Sequence, residues 1–131
     1  MAASPVLADS SFYIRLLREG QDPLRALAPA AATSDLVICD VVRCEVGRAL
    51  RPMALRRRFE AFWDVTVNVP TDRRLWADVE QSLWELDRTG VVLPLTDMII
   101  ACCARRIGAV VLTYDHHFDL IPGTRTINRL D

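Results

Sequence analysis

The stretch L-T-D-M-I-I-A-C-C-A-R-R-I-G-A-V-V-L-T-Y-D, residues 95–115, decides the fold. Its first part, Met98 to Ile107, is apolar on nearly all sides of a helix. Gly108 can close that helix, because glycine tolerates the left-handed turn that follows a C-terminus. Thr96 is the expected cap at the other end. Ala109 to Leu112 then reads as a strand. Val110-Val111-Leu112 does not alternate, as expected of a strand covered on both faces of a parallel sheet. The run stops at an acid, Asp115.

The same grammar recurs on either side. Val6-Leu7-Ala8 reads as a short buried strand ending at Asp9, with Ser10 as the expected cap of a helix carrying Phe12, Ile14, Leu16 and Leu17. A second helical piece is expected from Asp22 to Ala32, weakened by Pro29. Leu36 to Cys39 reads as the next strand. Asp40 is then the expected cap of a helix bearing Val41, Val42, Cys44, Val46 and Leu50 and ended by Pro52. Met53 to Trp63 looks helical, with Leu55, Phe59 and Phe62 on one side. Val65 to Val69 alternates like a strand. Thr71 opens an amphipathic helix with Trp76, Val79, Leu83 and Leu86 at helical spacing and Gly90 just beyond its end. Thr124 to Ile127 is expected as a last edge strand.

Strands separated by helices must pair in parallel, since parallel neighbours need a crossover. The expectation is one three-layer α/β/α domain over residues 1–131 with a central parallel sheet. A chain of 131 residues is one domain's worth, and it is long enough to bury a core without staples. No apolar run approaches a membrane span, and Met1 to Pro5 lacks the basic region of a signal peptide. Cys39, Cys44, Cys102 and Cys103 show neither C-x-x-C nor zinc spacing. They are expected to be small buried thiols in a reducing cytosol. The net charge of −1 points to no partner. All 16 basic residues are Arg. That suits bidentate phosphate contacts and equally reflects a genomic bias towards Arg codons.

In doubly wound sheets ligands sit beyond the C-terminal strand ends. Asp9 and Asp115 fall at such ends, and Glu45 and Asp97 lie near helix N-termini that face the same edge. Each acid alone could merely cap a helix or pair with an Arg. Four together at one edge repel one another, and a hard divalent cation relieves that repulsion. Such an ion lowers the pKa of a bound water and stabilises charge on a phosphodiester. An all-carboxylate set therefore points to metal-dependent phosphodiester hydrolysis.

At these residues the chain resembles the PIN-domain nucleases, and among them the short VapC-type toxins of toxin–antitoxin pairs. The matching pieces are V-L-A-D-S-S at 6–11, C-E-V at 44–46, L-T-D-M-I-I-A at 95–101 and V-L-T-Y-D-H-H-F at 111–118. The resemblance implies a sheet of about five strands and a cytoplasmic endoribonuclease dependent on Mg²⁺ or Mn²⁺. It implies RNA substrates such as transfer or ribosomal RNA, an antitoxin partner and a homodimer. It makes Asp9, Glu45, Asp97 and Asp115 the acidic quartet. Asp9 and Asp97 are then expected in direct metal contact, with Asp115 completing the site and Glu45 acting through water. Ser10 and Thr113 match supporting polar positions. Asp119 is either an outer acid or a solvated loop residue, and Phe118 is expected to pack under the site loop. His116-His117 is no family signature; it reads as exposed loop, with proton shuttle or metal ligand as the alternative. Arg56-Arg57-Arg58 is a candidate RNA-binding patch or a solvated helix face. Trp63, Trp76 and Trp84 read as core or dimer interface, against base stacking. Two other readings compete with the toxin: an RNA-maturing PIN nuclease outside any toxin pair, and an idle module that binds RNA or protein.

Overall fold

Five short apolar runs form one sheet in the computed structural model, which describes residues 3–130. Met1, Ala2 and Asp131, at the ends of the expected domain, lie outside the described residues. The strands are β1 (Val6–Ala8), β2 (Leu36–Cys39), β3 (Val67–Val69), β4 (Val110–Leu112) and β5 (Thr126–Ile127). Their order is β3-β2-β1-β4-β5, every pair parallel. Val6, Leu7 and Ala8 pair with Val110, Val111 and Leu112, so the first and fourth strands lie side by side. The chain starts at the centre, winds outward to β3, then crosses back to lay β4 on the other flank of β1. The switch point, and hence the crevice, is at the C-terminal ends of β1 and β4.

Among the described residues six α-helices cover this sheet: α1 (Ser10–Arg18), α2 (Pro23–Leu27), α3 (Asp40–Gly47), α4 (Met53–Asp64), α5 (Arg73–Arg88) and α6 (Leu95–Arg106). Every residue of β1 and β2 is buried, which requires cover on both faces because successive side chains point opposite ways. The expected α/β layering is what the chain adopts. Helix α6 is the most apolar, with seven consecutive buried residues from Met98 to Ala104. Gly108, at φ 67°, turns it into β4. The Ala109 N–H donates to the Ala104 carbonyl and the Gly108 N–H to that of Arg105, so the angle between α6 and β4 is fixed by hydrogen bonds. Tyr13 of α1 packs edge-on against Trp63 of α4 at 5.8 Å. The Trp63 indole donates to the Tyr13 hydroxyl at 3.2 Å, and burial pushes the Tyr13 phenol up to about 12.

Local details differ from the expectations. Asp9, not Ser10, caps α1, and α5 begins at Arg73, behind its cap Asp72, rather than at Thr71. Aspartate and serine cap about equally well, so where the chain enters each helix decides which neighbour takes the orphan N–H. Cys39 and Pro94 stand before α3 and α6 without a capping side chain, so Asp40 and Asp97 fall inside the first turns, where the helix dipole favours an anion. Helix α3 stops at Gly47, leaving Leu50 outside it. The piece from Asp22 divides into α2 and a 3-10 turn at Ala28–Ala32. Strand β3 begins only at Val67; Val65 is 85% exposed. Cys44 is exposed, while the other three thiols are buried. Trp63 is core, but Trp76 and Trp84 stand exposed on α5, whose buried face is Leu75, Val79 and Leu86. No helix among the described residues is long and apolar enough to cross a membrane.

Candidate active site

Asp9 leaves β1 directly into the first turn of α1, and only 3% of it is exposed. A buried carboxylate needs partners. Its Oδ1 accepts from the Ser11 hydroxyl at 2.7 Å and the Phe12 N–H at 3.3 Å. Its Oδ2 accepts from the Thr113 hydroxyl at 2.9 Å. Burial still pushes the carboxyl up to about 6; those hydrogen bonds oppose the shift, and the charge of Asp115 adds to it.

Thr113 joins the two sides of the crevice. It follows β4, donates to Asp9, and accepts the Asp115 N–H at 2.8 Å. Ser11 does the reverse from α1, accepting the Tyr114 N–H at 3.0 Å. The loops after β1 and β4 are thus laced by two hydroxyls. Ser11 was not among the residues singled out from sequence, although it stands in the D-S-S run. The signal available was a second hydroxyl two places after a capping acid, where it can reach back to the carboxylate.

Glu45 comes from α3 and accepts a hydrogen bond from Ser10. Asp97 comes from the first turn of α6, its side chain 14% exposed. Burial raises its pKa, and the charges of Asp115 and Glu45 raise it further, while its hydrogen bond to His117 acts the other way. Asp115 caps a 3-10 turn, His116–Leu120, accepting the His117 N–H at 2.9 Å. Phe118, fully buried, anchors that turn. The turn swings the His117 ring across, so that Nδ1 lies 2.8 Å from Asp97 Oδ2 and 3.2 Å from Asp115 Oδ1. The Asp97 contact foremost, then the charges of Asp115 and Asp97, raises the His117 pKa. His117 is therefore exposed, as read from sequence, yet held between two acids.

Asp97, Asp115 and His117 bring one ligand atom each within 4.8 Å of one another. Asp9 lies outside that trio and reaches it through the charge of Asp115. The donors are carboxylate oxygens with one imidazole, and the acids raise one another's proton affinity, as a set short of positive charge does. This chemistry fits a hard divalent cation.

The remaining candidates stand apart from the trio. Asp119 accepts from the Thr126 hydroxyl at 2.9 Å and lies 3.5 Å from His116, towards β5. Arg56 pairs with Glu60 at 2.9 Å and Arg58 with Asp22 at 2.6 Å. Two of the three consecutive arginines are thus held by acids on the helix flank, while Arg57 is exposed.

The PIN domain family model matches residues 6–123. No curated protein sequence matches the chain. Several solved structures share its fold. The crystal structure of VapBC2 from Rickettsia felis, bound to a DNA fragment from its promoter, superposes with a TM-score of 0.75 at 14% identity, covering 94% of this chain and 97% of that one. DNA-bound VapBC from Salmonella typhimurium gives 0.75 at 22%, covering 95% and 98%. VapC20 from Mycobacterium tuberculosis, a sarcin-ricin loop cleaving toxin, gives 0.59 at 15%, covering 84% and 89%. With the family model spanning all of the described strands but β5, the chain belongs to the PIN-domain family.

Proposed function

We propose that the chain is an endoribonuclease dependent on Mg²⁺ or Mn²⁺, and the cytoplasmic toxin of a type II toxin–antitoxin pair. The observation that carries this reading is the meeting of Asp97, Asp115 and His117 within a single ion's reach, with the charge of Asp115 acting on Asp9 and that of Glu45 acting on Asp97. Asp97 and Asp115 would hold the ion, with Asp9 supplying fixed negative charge behind them and Glu45 acting through water. A bound divalent ion supplies an activated water and charge stabilisation on a phosphodiester. The chain's own residues set the geometry. Thr113 and Ser11 hold Asp9 still, Ser10 orients Glu45, and the neutral His117 ring, beside Asp97 and Asp115, offers a third donor to the ion.

A free nuclease would damage its own cell, so the reading includes an antitoxin. The VapBC complexes among the structural neighbours support such a partner, and VapC20, a toxin that cleaves the sarcin-ricin loop, supports a loop of structured RNA as substrate. Exposed Trp76 and Trp84 on α5 support a homodimer.

The test is cleavage of total RNA by the purified chain with Mg²⁺ or Mn²⁺, alongside Asp9→Asn. Mapping RNA 5′ ends after induction in cells would then name the bond. Cleavage and growth arrest that Asp9→Asn abolishes are the expected result. A chain that cuts no RNA with either ion, and whose Asp97→Asn variant behaves identically in cells, would sink the nuclease reading.

A further inference from the structure

The crevice continues past Asp115 into a cleft of about 370 Å³, lined by Arg15, Thr113, Tyr114, Asp115, Asp119 and Asn128 among others. That volume is in the range of small-molecule sites. Its wall is an ordered stack. The Tyr114 ring lies parallel to Phe12, with centroids 6.0 Å apart and planes 20° apart. The Arg15 guanidinium lies over the Tyr114 ring at 4.3 Å. The Tyr114 backbone is itself pinned by its hydrogen bond to Ser11, so the stack is tied to the group that holds Asp9.

The only ion-pair partner of Arg15 among the described residues is Glu19, at 3.7 Å on the exposed face of α1. Such a pair is weak. A guanidinium held over a ring keeps N–H groups able to donate, and its plane accepts a stacked base. Asp115 and Asp119 on the same cleft disfavour a bare anion inside it. They suit a neutral group carrying N–H donors, and the Asn128 amide offers both a donor and an acceptor.

The geometry points to a nucleobase subsite: the unpaired base of the nucleotide adjoining the scissile phosphate stacks on the Arg15–Tyr114 pair, with Asn128 at its edge. This subsite rests on the RNA-cleaving reading above and adds to it a selection for single-stranded segments. A paired base cannot reach the cleft without leaving its stack, which costs unpairing energy.

Binding and cleavage are to be measured separately. Fluorescence anisotropy with a labelled single-stranded hexanucleotide RNA pool, in Mg²⁺ and in an Asp9→Asn background that keeps the RNA intact, reads the subsite alone. Arg15→Ala and Tyr114→Leu are each expected to raise Kd about tenfold, the size of one lost base stack. Tyr114→Phe, which keeps the ring, should bind as the parent does. Arg15→Lys should lose nearly as much as Arg15→Ala, because an ammonium keeps the charge without the plane. Arg88→Ala, the same loss of charge far along α5, is expected to change Kd less than twofold. Kd within twofold for both Arg15→Ala and Tyr114→Leu overturns the subsite, as does duplex RNA binding as tightly as single strands. So does an Arg15→Lys variant that restores full binding. Cleavage by the wild-type chain decides the nuclease reading independently, since an idle chain can still pass or fail the binding comparison.

Discussion

The two sides of the acidic crevice are built on opposite plans. On the β1 side Asp9 is sealed from solvent and accepts three hydrogen bonds from groups that cannot move away. On the α6 and β4 side Asp97 and Asp115 are partly open, and their principal contact is a half-exposed histidine on a short turn. One side is fixed before any ligand arrives; the other can rearrange around one. The contrast teaches that a charged site need not be uniformly rigid. A single immobile carboxylate sets the reference, and the looser donors adapt to it.

Replacing the rigid member should have the largest effect, in two directions at once. Asp9→Asn is expected to lower RNA cleavage at least about a hundredfold, while stabilising the metal-free protein. The folded protein holds the Asp9 proton up to about 6, well above the ordinary carboxylate value. A raised pKa of this kind contributes stability that is full below the unfolded value and is lost as pH rises through about 6. At pH 7 the ionised group therefore opposes folding by about 3 kcal/mol. Thermal melts in chelator between pH 4 and pH 8 should show the wild type losing ground to Asp9→Asn across that window. Parallel melting curves would break the contrast.

Thr113→Val cuts the link between the two sides. It leaves Asp9 Oδ2 without its donor and the Asp115 N–H without its acceptor. A loss of about 1–3 kcal/mol in urea unfolding is expected, together with weaker cleavage.

His117→Ala addresses the adaptable side. Stability should change by less than about 0.5 kcal/mol, as for an exposed residue. Mn²⁺ affinity, measured calorimetrically, should fall about tenfold. A large loss of stability with unchanged affinity would reverse the roles assigned to the two sides.

Arg58→Ala gives the baseline for a charge pair outside the crevice. Its hydrogen bond to Asp22 holds that carboxyl below its ordinary value. The contribution is present above the unfolded carboxylate pKa and is lost as pH falls through it. Arg58 is half exposed and Asp22 about one-third exposed, so denaturant unfolding should register at most about 0.5 kcal/mol at pH 7, shrinking towards pH 3.

What could be read in the sequence follows the strength of the signals. Val110-Val111-Leu112 and the run from Met98 to Ala104 admit few placements in water, because leaving them exposed forfeits the burial of many apolar side chains. The sheet and its switch point follow from those runs and from the alternation of strands with helices. Caps are harder. Asp9 and Ser10, or Thr71 and Asp72, are adjacent residues of similar capping strength, and the geometry of the preceding strand decides between them. The extent of β3 was hidden because Val65 and Val67 alternate correctly but lack a second face to bury. The acids were legible as charges stranded at the ends of apolar runs. Their division into a sealed and a more open side was not. It depends on Ser11 reaching back two residues and on the 3-10 turn that aims His117, and neither leaves a periodic trace.

The pairing of β1 with β4 also carries a consequence for timing. Thr113 holds Asp9 across a sequence separation of 104 residues, so the whole stretch between them must be made first. Contacts this distant along a chain form late. During synthesis Asp9 and Glu45 emerge early and stay incomplete until Asp115 has cleared the ribosome. A chain that stops short of Thr113 and Asp115 cannot assemble the crevice, so the acid near its start gains its partner only after more than a hundred further residues have been made.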